Sequence, residues 1–152
     1  MKNITTILFD LDGTLLDTTE FIYQAFEQSL KNHKYDVPER ETMKKHMGKP
    51  IHDMYKIITD SYEHTDSLVK MHAEFQTKNP HLSDLFPGTL ETLQALKEKG
   101  YKIGAVTTRF RASTELTLWH TGIYELFDVV VCGDDAPAFK PDPAPLLLAL
   151  DT

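Results

Sequence analysis

The chain has 152 residues, 41% of them hydrophobic and 26% charged, with 23 acidic against 16 basic side chains and a formal net charge of −7. This is the composition of one compact globular domain, with room for a modest insertion, and it excludes a disordered chain. An acidic chain without a basic stripe is no candidate for binding nucleic acid, and without a Lys/Arg cluster it is none for an anionic membrane surface.

The N-terminus runs straight into an apolar strand and has no stretch of signal-peptide length. The longest late apolar run, Leu146 to Leu150, is too short to span a bilayer. Cys132 is the only cysteine, so no intramolecular disulfide can form. Together these features predict a reducing, cytoplasmic setting.

In chain order, the first element is an apolar strand from Ile4 to Asp10, which delivers Asp10, Leu11, Asp12, Gly13 and Thr14. The following stretch, residues 18–86, holds no convincing strand. It has three amphipathic helical runs, "FIYQAFEQSLKNH", "IHDMYKIITDSY" and "SLVKMHAEFQTK", and Gly48-Lys49-Pro50 breaks the helical pattern between the first two. Pro87-Gly88 then opens a helix, "TLETLQALKEKG", with Leu90, Leu93 and Leu96 on one side and Gly100 at its C-terminal end. A strand from Tyr101 to Thr107 follows. Next is a helix, "RASTELTLWHTG", with Leu116, Trp119 and, beside them, Leu118 turned inward. A third strand spans Asp128 to Cys132. A final apolar helix, Ala144 to Leu150, stops without a cap or a further strand. The strands are continuously apolar rather than alternating, which predicts parallel strands covered on both faces. Strand and helix alternate, which predicts an open α/β sheet.

The two aspartates carry the first chemical signal. Side chains at i and i+2 of an extended segment share a face, so Asp10 and Asp12 converge if the strand end stays extended. Two close carboxylates favour binding a cation or protonating one member. Mg²⁺ suits such a site, since it takes oxygen ligands and keeps water and substrate phosphate in its shell. Gly13 permits a turn and a close backbone approach. The second strand ends in Thr107-Thr108, whose hydroxyls and amides can bind phosphate oxygens, with Arg109 beside them. After the third strand comes Lys140, which Pro141 biases to an extended conformation. In an open α/β sheet these groups all lie beyond the carboxyl ends of the strands, where ligands bind. A carboxylate pair, a hydroxyl and an ammonium suit attack on a phosphate.

These motifs resemble those of the haloacid dehalogenase-like hydrolase superfamily. Its Asp-x-Asp-x-Thr motif stands here as Asp10-Leu11-Asp12-Gly13-Thr14, its strand-closing Thr or Ser as Thr107, and its Lys-Pro lysine as Lys140-Pro141. The resemblance implies a Rossmann-like parallel core of about three strands, residues 1–17 and 87–152, with an inserted helical cap, residues 18–86. It implies a Mg²⁺-dependent phosphatase of a small phosphorylated metabolite, similar to phosphoglycolate phosphatase or pyrophosphatase-like members. Asp10 would be the nucleophile, forming an aspartyl-phosphate, and Asp12 the acid and base. Thr107 and Lys140 would hold the phosphoryl group, with Gly13, Thr14, Thr108, Arg109 and the cap's Lys49 as further substrate-binding groups. The metal would sit on the Asp10 carboxylate and the Asp12 carbonyl. The family's fourth motif, one or two acids after the Lys-Pro helix, has no counterpart before Thr152, so the chain reads as C-terminally truncated. The alternative is therefore a catalytically incompetent fragment that binds phosphate or self-associates, as a homodimer through an exposed first-strand edge. A phosphonoacetaldehyde hydrolase-like activity, with Lys49 as the cap lysine, is a distant alternative.

Other residues have plainer readings. Asp134 and Asp135 imitate the absent acids but follow the wrong strand, so they are expected in a loop near the site opening. Seven histidines include no His-x-x-x-His pair and no cysteine partner, which predicts surface or cap roles. Cys132 is expected to be a buried thiol, and Met43, Met47, Met54 and Met71 to pack the helical insertion.

Overall fold

The computed structural model describes residues 4–151. The chain divides into two compact units, one of Met1–Thr18 with Pro80–Thr152 and one of Thr19–Asn79.

The first unit is built on a parallel sheet of β1 (Thr6–Phe9), β4 (Lys102–Val106) and β5 (Val129–Val131), in the order β1-β4-β5. Leu8 sits opposite Gly104, and Gly104 opposite Val129. A side chain at position 104 would place its Cβ 2.5 Å from the Leu8 Cδ2 and 2.8 Å from the Val129 Cγ1, so glycine there lets the two flanking strands pack.

Each strand feeds both faces. Phe9, Ile103, Ala105 and Val130 join Leu93 of α5 (Thr89–Glu98) and Leu118 of α6 (Arg111–His120) in one core. Leu8, Val106, Val129 and Val131 pack with Ala149 of α7 (Ala144–Leu150) in another. This is why the strands are apolar throughout rather than alternating. Among the described residues β1 pairs on one edge only, with β4. Leu147 and Leu150 of α7 remain exposed.

The predicted three-stranded α/β core is therefore present, with shorter strands than expected. The inward face of α6 is not the one predicted. Leu118 is buried, but Leu116 and Trp119 are exposed, and the helix instead turns Ser113, Thr114 and Thr117 inward. Trp119 stacks on Tyr124, with ring centroids 4.4 Å apart. Small hydroxylated side chains let α6 lie close to its neighbours, a signal that hydrophobicity alone does not give. In α5, Leu93 is fully buried while Leu90 is exposed.

Two short strands also went unpredicted. β2 (Leu16–Asp17) and β3 (Asp84–Leu85) pair antiparallel. Two residues are too few to carry a periodicity. β3 and the 3-10 turn Pro80–Leu82 belong to the sheet unit, so the division falls at Asn79 rather than at the expected residue 86.

The second unit is helical: α1 (Thr19–Asn32), α2 (Arg40–Lys44), α3 (Ile51–Thr59) and α4 (Thr65–Lys78). Three of these match the predicted amphipathic runs. Phe21, Phe26, Leu30, Met54, Tyr55, Leu68 and Val69 form its interior. His72 is buried among them and meets the Tyr55 hydroxyl at 3.1 Å through Nδ1. Burial pushes the Tyr55 phenol well above its usual range. No helix among the described residues is long and apolar enough to cross a membrane.

Candidate active site

The carboxyl ends of the three parallel strands bring together Asp10, Thr107 and the segment after Val131. β1 stops at Phe9, so Asp10 and Asp12 do not share an extended strand as expected. The chain turns instead: the Leu11 carbonyl accepts from the amides of Thr14, Leu15 and Leu16, and the Gly13 amide donates to the Leu16 carbonyl at 2.9 Å. Gly13 takes φ 73°, a conformation that favours glycine and makes this turn possible.

Each aspartate has its own cation. The Lys140 ammonium lies 2.7 Å from Asp10 Oδ2 and donates to the Val106 carbonyl at 2.8 Å. Asp10 Oδ1 accepts from the Leu11 amide at 2.8 Å. Asp12 Oδ1 is bound by the guanidinium of Arg109. The repulsion expected between the two acids is thus relieved by protein cations from the segments after β4 and β5.

Thr107 is buried at the end of β4, its amide donating to the Val131 carbonyl at 2.9 Å. Its Oγ1 accepts from the Arg109 amide at 3.1 Å, which leaves its own proton to donate. Thr108 is half-buried next to it. The Gly133 amide donates to the Arg109 carbonyl at 2.9 Å. A Cβ at Gly133 would fall 2.3 Å from the Thr108 carbonyl oxygen, so only glycine lets the β5 loop lie this close to the β4 loop. No sequence signal had marked Gly133. The Lys140–Pro141 peptide is cis.

Arg109 is placed differently from expectation. The motif resemblance makes it a phosphate ligand beside Thr108. Its side chain is only 2% exposed, and it runs back into the unit to Asp12 and to Thr117. Asp134 and Asp135 do lie in the loop after β5, and both are used: Asp134 accepts from the Arg111 amide at 2.8 Å, while Asp135 pairs with the Arg111 guanidinium and accepts from the Cys132 amide. Burial by itself raises the Asp135 carboxyl, but Arg111 and the Cys132 amide outweigh it and hold the group below the usual carboxylate range. Cys132 is buried, which pushes its thiol up to about 11 and makes it a poor nucleophile. Lys49 is exposed and lies in the helical unit.

The donors that the motif resemblance implies for a cation are the Asp10 carboxylate and the Asp12 carbonyl. Both are hard oxygens, which fit Mg²⁺, an ion that commonly completes its shell with water and substrate phosphate. Among the described residues no group of three or more His, Cys, Asp or Glu is placed to hold a metal.

The carboxyl edge of the parallel α/β core thus brings together two acids, a hydroxyl and a lysine. Residues 7–152 match the family model described as haloacid dehalogenase-like hydrolase. The chain belongs to that family. It is 38% identical over 150 residues to pyrophosphatase PpaX of Bacillus velezensis, covering 98% of this chain and 68% of that protein. PpaX of Bacillus cereus is likewise 38% identical over 148 residues, covering 97% and 68%. Among solved structures, a haloacid dehalogenase-like family hydrolase from Streptococcus pneumoniae superposes with TM-score 0.85 at 25% identity, covering 97% of this chain and 69% of that one.

Proposed function

We propose that the chain is a Mg²⁺-dependent phosphatase that hydrolyses a small phosphorylated metabolite through an aspartyl-phosphate. The observation that carries this reading is the Lys140 ammonium set between Asp10 Oδ2 and the Val106 carbonyl. It fixes the carboxylate and supplies positive charge where a phosphoryl group would meet it. The pyrophosphatase relatives support phosphoryl transfer to water as the reaction class.

In the first half-reaction an Asp10 oxygen attacks phosphorus, and the bond to the leaving oxygen breaks as Asp12 gives that oxygen a proton. In the second, Asp12 takes a proton from water. The water oxygen attacks the same phosphorus, the bond to Asp10 breaks, and inorganic phosphate leaves. Thr107, Thr108 and Lys140 donate to the phosphoryl oxygens, and the Thr14 hydroxyl adds a donor, since the Gly13 and Thr14 amides are used within the turn. The Asp10 carboxylate and the Asp12 carbonyl would hold Mg²⁺, which supplies charge neutralisation when bound. Substrate choice is assigned to the helical unit, with Lys49 as its candidate contact for an anionic group.

The test is hydrolysis of p-nitrophenyl phosphate and acetyl phosphate with Mg²⁺ by the wild-type chain and Asp10→Asn. The amide is a far weaker nucleophile, so the variant falls to background. Full activity in the variant removes Asp10 from the role. Phosphate binding without hydrolysis by the wild type selects the competing reading, a phosphate-binding chain without turnover.

A further inference from the structure

Arg109 sits next to a threonine pair at the mouth of the site, where a cation would ordinarily be read as a phosphate ligand. Its surroundings point elsewhere. The backbone is held on both sides, the amide donating to Thr107 Oγ1 at 3.1 Å and the carbonyl accepting from the Gly133 amide at 2.9 Å. From that fixed point the side chain turns inward. One terminal nitrogen, Nη1, donates to Thr117 Oγ1 at 2.8 Å, and the other, Nη2, binds Asp12 Oδ1. Thr117 is fully buried on α6, and its hydroxyl takes this guanidinium as partner. The Arg109 side chain is 2% exposed, whereas the Asp12 side chain is 24% exposed. The chain Thr117–Arg109–Asp12 thus runs from buried core to open site, and its far end is the carboxylate.

We infer that Arg109, oriented by Thr117, positions the Asp12 carboxylate for proton transfer and does not bind the phosphoryl group. A planar guanidinium that donates to two acceptors at once has little rotational freedom. Holding Oδ1 fixes the carboxylate plane and leaves Oδ2 as the oxygen that meets the leaving group and then the water. A proton-transfer group must lie within hydrogen-bond reach of its target, so a carboxylate free to rotate loses rate without losing affinity. The threonine is a second orienting contact, one that carries no charge.

This inference rests on the phosphatase reading, and the experiment separates the two. Arg109→Met, Arg109→Lys and Thr117→Val are compared with wild type, in Mg²⁺, on p-nitrophenyl phosphate and on a simple alkyl phosphate. A nitrophenolate leaves without a proton, whereas an alkoxide needs one. Misplacing Asp12 therefore slows the first half-reaction on the alkyl ester by about 10-fold or more, while the nitrophenol burst keeps its wild-type rate. The inhibition constant for orthophosphate stays within a few-fold. Thr117→Val gives a smaller loss with the same selectivity, and Arg109→Lys, which keeps the charge without the fork, recovers only part of the alkyl-ester rate. Equal losses on both esters in the first half-reaction, or a 10-fold rise in the orthophosphate constant in Arg109→Met and Arg109→Lys, overturn the positioning role and leave the phosphatase reading standing. A wild-type chain that hydrolyses neither ester overturns both.

Discussion

Lys140 joins the end of the sheet to its beginning: its ammonium lies 2.7 Å from Asp10 Oδ2 and also donates to the Val106 carbonyl at 2.8 Å. One side chain from the loop after β5 thereby touches the ends of β1 and β4. Lys140 is 24% exposed and Asp10 45%. A pair this open to solvent is worth about 0–1 kcal/mol to stability, so its value must lie in the site. Lys140→Met should leave the melting temperature within a few degrees of wild type. Turnover should fall about 100-fold and orthophosphate should bind more weakly. A variant that melts much earlier yet turns over normally would reverse this assignment.

Asp12→Asn should block turnover more than phosphate binding. The change removes the proton donor but keeps the backbone carbonyl and the side-chain shape. Rapid mixing with acetyl phosphate, whose leaving group needs little help, should give a burst of phosphoenzyme without steady hydrolysis. Parallel loss of orthophosphate affinity and turnover would count against a proton-transfer role.

Asp134 and Asp135 are tied to Arg111 and Cys132, and their replacement together by Asn should leave Mg²⁺ affinity within a few-fold. A loss of 10-fold, about 1.4 kcal/mol, would make them metal ligands after all. Stability should respond instead. The Asp135 carboxyl is held below its usual range in the folded chain, so its stabilisation is present above the unfolded value, about pH 4, and disappears as pH falls through the folded value. The melting-temperature gap between wild type and variant should be widest near neutrality and close below about pH 4.

Gly133→Ala should damage both fold and site. The added Cβ would meet the Thr108 carbonyl oxygen at 2.3 Å and Phe139 at 3.0 Å. The first of these is backbone and cannot rotate away. Overpacking of this kind costs about 1–3 kcal/mol, and the loop carrying Thr107 and Thr108 must shift to relieve it. Denaturant melts and orthophosphate titration should both move. An unchanged melt would mean that the two loops separate without cost.

The sequence by itself determined the α/β class, the three parallel strands, the helical insertion and the set of groups gathered at the sheet's carboxyl edge. These are local signals: continuous apolar runs, a 3.6-residue period, and short motifs whose residues lie within a few positions of one another. Even the juxtaposition of Asp10, Thr107 and Lys140 follows from parallel strand order, which places all three strand ends on one edge. Tertiary structure decided who partners whom. Arg109 reads in sequence as a third phosphate ligand in a Thr-Thr-Arg run, and only the packing of α6 through Thr117, rather than through Leu116 and Trp119, sends its side chain to Asp12. Gly133 reads as one turn glycine among several, and only the approach of two loops distant in sequence makes its missing side chain necessary. The two-residue pair β2 and β3 and the division at Asn79 likewise depend on residues about 70 positions apart. A pattern along the chain records what each segment prefers, but long-range contacts are set by how the segments fill space together.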